Sequence, residues 1–458
     1  MQIEQFGQND QIGQNTVRIG AVELAERIGI LPPTEQQRVV IESPMHPALV
    51  VAGAGSGKTE TMAARVIWLV ANGLVAPQDV LGLTFTRKAA GSLAERIGRR
   101  LGALREHGLV PVGAGDDAVE HAAHDAFAEP TVATYNAFAS GLSREHALAI
   151  GREPDAEVIG DAAAWQLARR VVVDHGDRRL VSLDLSVDRV SALVLELSRE
   201  LADHVADLDA VRATAERFVG IADLPYTSGK AKATPYASVV AAVAAVGALD
   251  PLLDLVEFYR IAKRRRGVVE FSDQVAFALE VCDRSPSAVA LTRDRHRVVL
   301  LDEYQDTSVV QSRLLSALFR GLPVMAVGDP NQSIYGWRGA SAANLARFGR
   351  DFAADDLSVG LSVGQPSASV PVVAAPVFSL STSWRNATGI LDAANEIAAP
   401  LRAISAVPVD ALQARPTAPA GAIDVQFVED LVAEAAVVAQ WCATELAKPS
   451  GRFGPDGI

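Results

Sequence analysis

The chain has 458 residues, about half of them apolar, and a formal net charge of −13. That length supports two to four domains with real cores, and the charge argues against a surface coated in basic residues for nucleic acid while leaving room for a local basic track. Two cysteines and eight scattered histidines exclude a disulfide framework and a zinc site; with no run of about 18 uncharged apolar residues and no secretory leader, a soluble cytoplasmic protein without membrane contact is expected.

Residues 1–30 read as a polar, then weakly amphipathic N-terminal extension from which no chemistry follows. Leu31-Pro-Pro-Thr-Glu-Gln-Gln-Arg38 is a proline-marked helix start with Thr34 as its cap. Ala48–Thr61, ALVVAGAGSGKTET, is the stretch around which the chain is organised. A short apolar strand breaks into a glycine-rich turn, and a helix follows from Lys58 with Met62, Val66, Ile67 and Val70 at helical spacing. Gly53, Gly55 and Gly57 let the backbone aim its N–H groups inward as an anion cradle, Lys58 can reach terminal phosphates, and the Thr59 hydroxyl can sit on a magnesium ion. The first position of the usual pattern is Ala52 in place of glycine.

Val80–Phe85 reads as a buried strand and Thr86 onward as a helix with Arg96, Arg99 and Arg100 on one face. Arg87, Lys88 and Arg105 extend this basic cluster, and Lys263–Arg266 is a second one. Residues 106–129 read as a loop or insertion, Thr131–Thr134 as a short strand, and 138–266 as an inserted helical domain with a break near 222–235. Two parallel-sheet strands then end in acids: Val298–Leu301 before Asp302-Glu303, and Val324–Val327 before Gly328-Asp329. Adjacent acids at a buried strand end are costly without a cation; one can hold magnesium through its waters and the next can polarise an attacking water. Residues 351–378 read as a linker, Ser383–Leu401 as a helix, Asp424–Phe427 as a strand and Val428–Leu446 as a helix.

An ordered set of motifs resembles the UvrD/PcrA/Rep superfamily 1A DNA helicases, with actinobacterial UvrD-like and AdnB-type proteins nearest. Leu31–Gln37 looks like the adenine-reading Q motif, AGAGSGKT (Ala52–Thr59) like motif I, LTFTRKAA (Leu83–Ala90) like motif Ia and ATYNAF (Ala133–Phe138) like motif Ib. LLDEYQDT (Leu300–Thr307) resembles motif II, VGDPNQSIYGWRGA (Val327–Ala340) motif III, and LSTSWRN (Leu380–Asn386) motif IV, with Ser383 and Trp384 replacing Asn and Tyr.

The resemblance implies an α/β fold, a RecA-like P-loop NTPase with a parallel sheet, an inserted all-helical domain and the start of a second RecA-like domain. It divides the chain into 31–137 and 267–350 (first RecA-like domain), 138–266 (helical domain), 351–378 (linker) and 379–458 (start of the second). It implies ATP and Mg²⁺ as cofactors, with Lys58, Asp302, Glu303, Gln332 and Arg385 catalytic. Gln36, Ala52, Gly53, Ala54, Gly55, Ser56, Gly57, Lys58, Thr59 and Trp384 would hold ATP, and Thr59 and Asp302 the metal. Arg338 would link motif III to the nucleotide. Thr84, Phe85, Thr86, Arg87, Tyr135, Asn136, Tyr335 and Trp337 would contact DNA, the aromatics by stacking on unpaired bases.

The implied activity is ATP-driven 3′ to 5′ movement on single-stranded DNA and at single–double-strand junctions, in repair or recombination. The alternatives are a subunit of a helicase-nuclease or repair complex, a non-unwinding DNA-stimulated ATPase fragment, an NTPase indifferent to nucleic acid, and a non-catalytic DNA-binding or assembly subunit, against which the intact Lys58, Asp302 and Glu303 speak. The patterns of motifs V and VI are not found, so a truncated product is expected, one that binds ATP and DNA weakly and unwinds duplex poorly.

Overall fold

The computed structural model describes residues 19–110, 128–176, 178–224, 236–336, 343–353 and 375–447. Most of 106–129 and 351–378, the helical break near 222–235, Trp337 and Arg338 lie outside them. Six strands form one parallel sheet: β1 (Ala48–Ala52), β2 (Val80–Thr84), β3 (Thr131–Thr134), β4 (Val298–Leu301), β5 (Val324–Gly328) and β6 (Val377–Leu380), in the order β3-β2-β4-β5-β1-β6. Val50 pairs with Val327 across β1 and β5, and Leu83 with Leu301 across β2 and β4.

Alternation along the strands supplies two cores. Val50, Ala52, Val80, Leu300 and Val327 face helices α1 (Ala21–Arg27), α2 (Glu35–Ile41), α3 (Lys58–Ala71) and α4 (Arg87–Glu106). The residues between them, Leu49, Val51, Leu81, Leu83, Leu301 and Ala326, face the other helical layer. That layer is α5 (Tyr135–Glu145) with helices of the second half of the chain. Each fully buried Val, Leu or Ile contributes about 1.5–3 kcal/mol, and a strand slipped by one residue would move its side chains from one core into the other and mispack both.

The stretch read as an extension is part of this core from Ile19 on: Ala21, Leu24 and Ala25 are buried, and the Trp68 indole donates to the Ile19 carbonyl at 2.8 Å. Thr34 caps α2, accepting from the Gln37 N–H, while the Gln37 side chain accepts from the Thr34 N–H. Arg65, 2% exposed, clamps α2 to α3 by donating to the carbonyls of Val40, Ile41, Ser43 and Pro44. Burial pulls its guanidinium down to about 10.

The helical insertion, α6 (Asp161–His175), α7 (Val187–Asp203), α8 (Leu208–Val219), α9 (Ala237–Gly247) and α10 (Leu249–Arg266), builds its own core from α6, α7, α8 and α10, centred on Leu167, Val194, Leu253, Val256 and Tyr259, while α9 buries no residue. That core starts near residue 159, later than expected, because α5 packs Tyr135, Ala139 and Leu142 on the sheet. Helices α9 and α10 together, Ala237–Arg266, are long and apolar enough by length and composition to cross a membrane. Their Asp250 and Asp254 are ion-paired with Arg179 and Arg212, and Leu253 and Val256 lie in the helical core.

The chain returns to the sheet through α11 (Phe271–Arg284) and α12 (Pro286–Arg295), and α13 (Val309–Phe319) and α14 (Ala343–Phe352) complete its second face. Strand β6, which falls at the end of the stretch read as a linker, pairs with β1. Ser383 sits in a two-residue strand, Thr382–Ser383, paired with Gln413–Ala414, so the next helix, α15 (Thr388–Ala403), starts later than expected. Asp424–Phe427 forms no strand: Val425 is 84% exposed and Phe427 is fully exposed, and no strand among the described residues pairs with them. Helix α16 (Leu431–Leu446) follows.

Candidate nucleotide site and nucleic-acid platform

The site residues lie beyond the carboxyl ends of the strands, where an open α/β sheet presents its ligand crevice. After β1 the loop turns through Gly55 (φ 75°) and Gly57 (φ 84°), both in the left-handed region. Any Cβ at Gly57 would lie 2.7 Å from Gln37 Nε2, and one at Gly55 would lie 2.8 Å from both Arg385 Cβ and Ser383 Oγ. The Ser56 hydroxyl donates to the Gly53 carbonyl at 2.8 Å. Ala52 is accommodated in place of glycine because it is the last strand residue and points into the core. Gly53, Ala54 and Thr59 are half-buried around the mouth of the loop.

Lys58, the first residue of α3, donates to Glu303 Oε2 at 2.8 Å. Asp302 and Glu303 follow β4, two strands from β1, about 10 Å across the sheet. Glu303 is one of three non-glycine residues with positive φ among the described residues, at 49°, a conformation of the kind that concentrates at functional sites. Asp302 is 5% exposed, and its Oδ1 accepts from the Glu303 N–H at 3.1 Å. Among the described residues it is in no ion pair. Burial, then the charge of Glu303, pushes its carboxyl up to about 6. Between these strands, β5 is followed by Asp329, whose Oδ2 accepts from Gln332 Nε2 at 2.6 Å.

The segment after β6 folds over the loop. The Trp384 N–H donates to the Gly55 carbonyl at 2.8 Å, and the indole is 45% exposed. Trp384, Gln37, Gly57, Glu60, Pro33 and Arg100 are among the residues lining a pocket of about 570 Å³. Arg385 is exposed beside Gly55.

Gln36 does not face the loop. Its Nε2 donates to Ser381 Oγ at 2.9 Å and its Oε1 accepts from the Ser381 N–H at 3.0 Å, tying α2 to the end of β6. The glutamine against the loop is Gln37, which donates to the Ser56 carbonyl at 3.3 Å. The capping pattern Thr34-x-x-Gln37 was the sequence signal for it, because it turns the third helical side chain back toward the helix start.

On the other side of the edge, Phe85 stacks on Tyr335 with ring centroids 4.8 Å apart and planes 24° apart. Both rings are half-buried, and Thr86, Arg87 and Lys88 beside them are exposed. Thr84 is buried and its hydroxyl donates to the Thr86 carbonyl at 3.1 Å, so it shapes this turn from within. Tyr135 is 4% exposed and its hydroxyl donates to the Asp302 carbonyl at 2.8 Å. It is therefore a core residue supporting the acidic strand end, which removes it from the nucleic-acid contacts. Asn136, exposed, accepts from Gln311 Nε2 at 2.8 Å.

Several members of both basic clusters are held by partners within the chain. Arg96 and Arg100 both bind Glu60, and Arg99 turns away to Glu95. Lys263 is buried between Glu270 and Asp273, and Arg264 donates to the Gly151 carbonyl.

A glycine loop opening a helix, beside an acidic strand end on a parallel sheet, defines a RecA-like P-loop protein. The chain belongs to the UvrD/REP helicase family: residues 33–353 match the UvrD/REP helicase N-terminal domain. It is similar to DNA helicase II of Haemophilus influenzae, 24% identical over 367 residues that make up 80% of this chain and 40% of that protein. It is also similar to the ATP-dependent DNA helicase PcrA of Leuconostoc citreum (26% over 363 residues, 79% and 38%) and DNA helicase II of Escherichia coli (25% over 366 residues, 79% and 40%). The chain thus spans about two fifths of the length of these relatives.

Proposed function

We propose that this chain is the ATP-binding part of a UvrD-type translocase that moves 3′ to 5′ on single-stranded DNA and at its junctions with duplex. Cytoplasmic DNA repair or recombination is the proposed setting. One observation carries this reading. Lys58 and Glu303 meet at 2.8 Å on the same strand edge where Phe85 and Tyr335 stack, so a phosphate site and a base platform share one rim.

In this reading Ala52–Thr59 cradles the phosphates with its backbone N–H groups, and Lys58 leaves Glu303 to hold the terminal one. Trp384 offers its exposed indole to the base of the nucleotide, with Gln37 beside it. A buried carboxylate that is in no ion pair among the described residues fits a divalent cation, so Asp302 and the Thr59 hydroxyl would hold magnesium, which when bound would neutralise charge on the phosphoryl oxygens. Glu303 accepts the proton of the attacking water. Gln332, a neutral amide, reports the terminal phosphate, and Arg385 stabilises charge spreading on the transferred group. Phe85 and Tyr335, with Trp337, take unpaired bases between them, while Thr86, Arg87 and Asn136 hold the backbone.

The test is ATP turnover by this chain with and without single-stranded DNA, alongside Lys58→Ala. Turnover raised by DNA and lost in the variant is expected. Turnover indifferent to DNA would assign the site to an NTPase that does not read nucleic acid.

A further inference from the structure

Gln305 is 1% exposed and belongs to neither the phosphate cradle nor the aromatic platform, yet it touches the structures behind both. Its Nε2 donates to Glu303 Oε2 at 2.9 Å, the same oxygen that receives Lys58, and lies 3.3 Å from Asp306 Oδ2. Its Oε1 accepts from the Asp329 N–H at 3.0 Å, and Asp329 in turn holds Gln332. Its backbone carbonyl accepts from Ser333 Oγ at 3.4 Å, two residues before Tyr335.

No other side-chain chemistry of that length serves both ends. Glutamate would set an acceptor against Glu303 and lose the donor, and methionine would leave the Glu303 oxygen to Lys58 alone and the Asp329 N–H without its side-chain acceptor. The surroundings are built around this amide: a Cβ at Gly328 would lie 2.7 Å from Gln305 Oε1 and 3.3 Å from its backbone nitrogen.

We propose that Gln305 is the positioning residue through which occupancy of the phosphate site is felt at the Phe85–Tyr335 platform. When Lys58 leaves Glu303 for a phosphate, the Glu303 oxygen loses its cationic partner and rests on Gln305 alone. The amide can follow Glu303 only by moving the Asp329 loop that carries Gln332, Ser333 and Tyr335. The proposal rests on the reading that this chain binds ATP and single-stranded DNA.

The experiment measures the Kd of the full chain for a labelled oligothymidylate with and without magnesium and a non-hydrolysable ATP analogue. It is run on wild type, Gln305→Met and the isosteric Gln305→Glu, with the Kd for the analogue alone. In wild type the analogue is expected to change DNA affinity at least about fivefold, a usual size for coupled sites. In both variants that factor falls to within about twofold of unity, while each ligand alone binds within about threefold of wild type. A variant that keeps the wild-type factor overturns the proposal, and so does loss of coupling only in step with loss of both affinities, the mark of a merely structural residue. Wild type that binds both ligands without coupling overturns the proposal and leaves the ATP and DNA reading standing; wild type that binds neither removes that reading and the proposal with it.

Discussion

Two lysines of this chain meet buried or half-buried carboxylates, and they are held in opposite ways. At the root of the helical insertion, Lys263 donates to Glu270 at 3.0 Å and to both oxygens of Asp273 at 2.8 and 2.7 Å, and Glu270 also receives Tyr259 and Arg199. Burial alone would raise the Glu270 carboxyl, but Lys263 and Arg199 outweigh it and hold the group below its usual range. At the sheet edge, Lys58 has the single carboxylate of Glu303, and neighbouring Asp302 is buried without an ion pair, its carboxyl pushed up to about 6. The first cluster is closed on itself and fixes one domain to another. The second is left short of positive charge, which is the state a site waiting for a cation and a phosphate should have.

The comparison can be broken at either end. Lys263→Met strands Glu270 and Asp273 without a counter-charge and is expected to lower stability by about 3–5 kcal/mol in urea unfolding, with ATP turnover per folded molecule unchanged. Lys58→Ala should do the reverse: turnover falls by about a hundredfold to a thousandfold while the unfolding midpoint barely moves. Equal destabilisation by the two variants would erase the distinction.

Asp302 sharpens it through pH. Its folded carboxyl titrates near 6 against an ordinary value near 4, so the folded state keeps its proton longer, and the group's favourable contribution, full below pH 4, is lost as pH rises toward and past 6. Asp302→Asn removes this titration. In metal-free buffer the stability of the variant relative to wild type should therefore increase by about 2–3 kcal/mol between pH 4 and 7. A pH-independent difference would mean that Asp302 carries no such strain.

The two tyrosines behind and on the rim separate support from contact. Phe85→Ala, which leaves Tyr335 without its stacking partner, should weaken single-stranded DNA binding by about 1–3 kcal/mol in a fluorescence titration. Tyr135→Phe should leave DNA binding unchanged and lower stability by about 1 kcal/mol, the worth of its hydroxyl on the Asp302 carbonyl.

Much of this was legible in the residues. Strand runs such as Val298–Leu301 and the spacing of Met62, Val66, Ile67 and Val70 carry their period openly, and the glycine loop and acidic strand end announce where the edge chemistry lies. The spacing Tyr135, Ala139, Leu142 also marked a buried helix face, which the resemblance to a DNA-contacting motif obscured. What sequence could not give was pairing across distance. Glu60 pairs with both Arg96 and Arg100 from 36 and 40 residues away, so two cations of a basic helix face are tied into a half-exposed ion-pair cluster. Strand β6 is four residues long and gains its meaning only from β1 beside it. Gln305 reads as one polar letter within an acidic motif until its two ends are seen on Glu303 and Asp329.

Phosphate and nucleobase are proposed to meet on a shared rim, and the most direct test places a reporter on it. A single-stranded oligonucleotide carrying 2-aminopurine would be bound to the full chain and magnesium-ATP added, with Phe85→Ala as control. A change in base fluorescence on nucleotide addition, lost in the variant, is the result predicted here. Fluorescence that ignores the nucleotide, or that responds equally without Phe85, would contradict the claim that phosphate and nucleobase are sensed at one sheet edge.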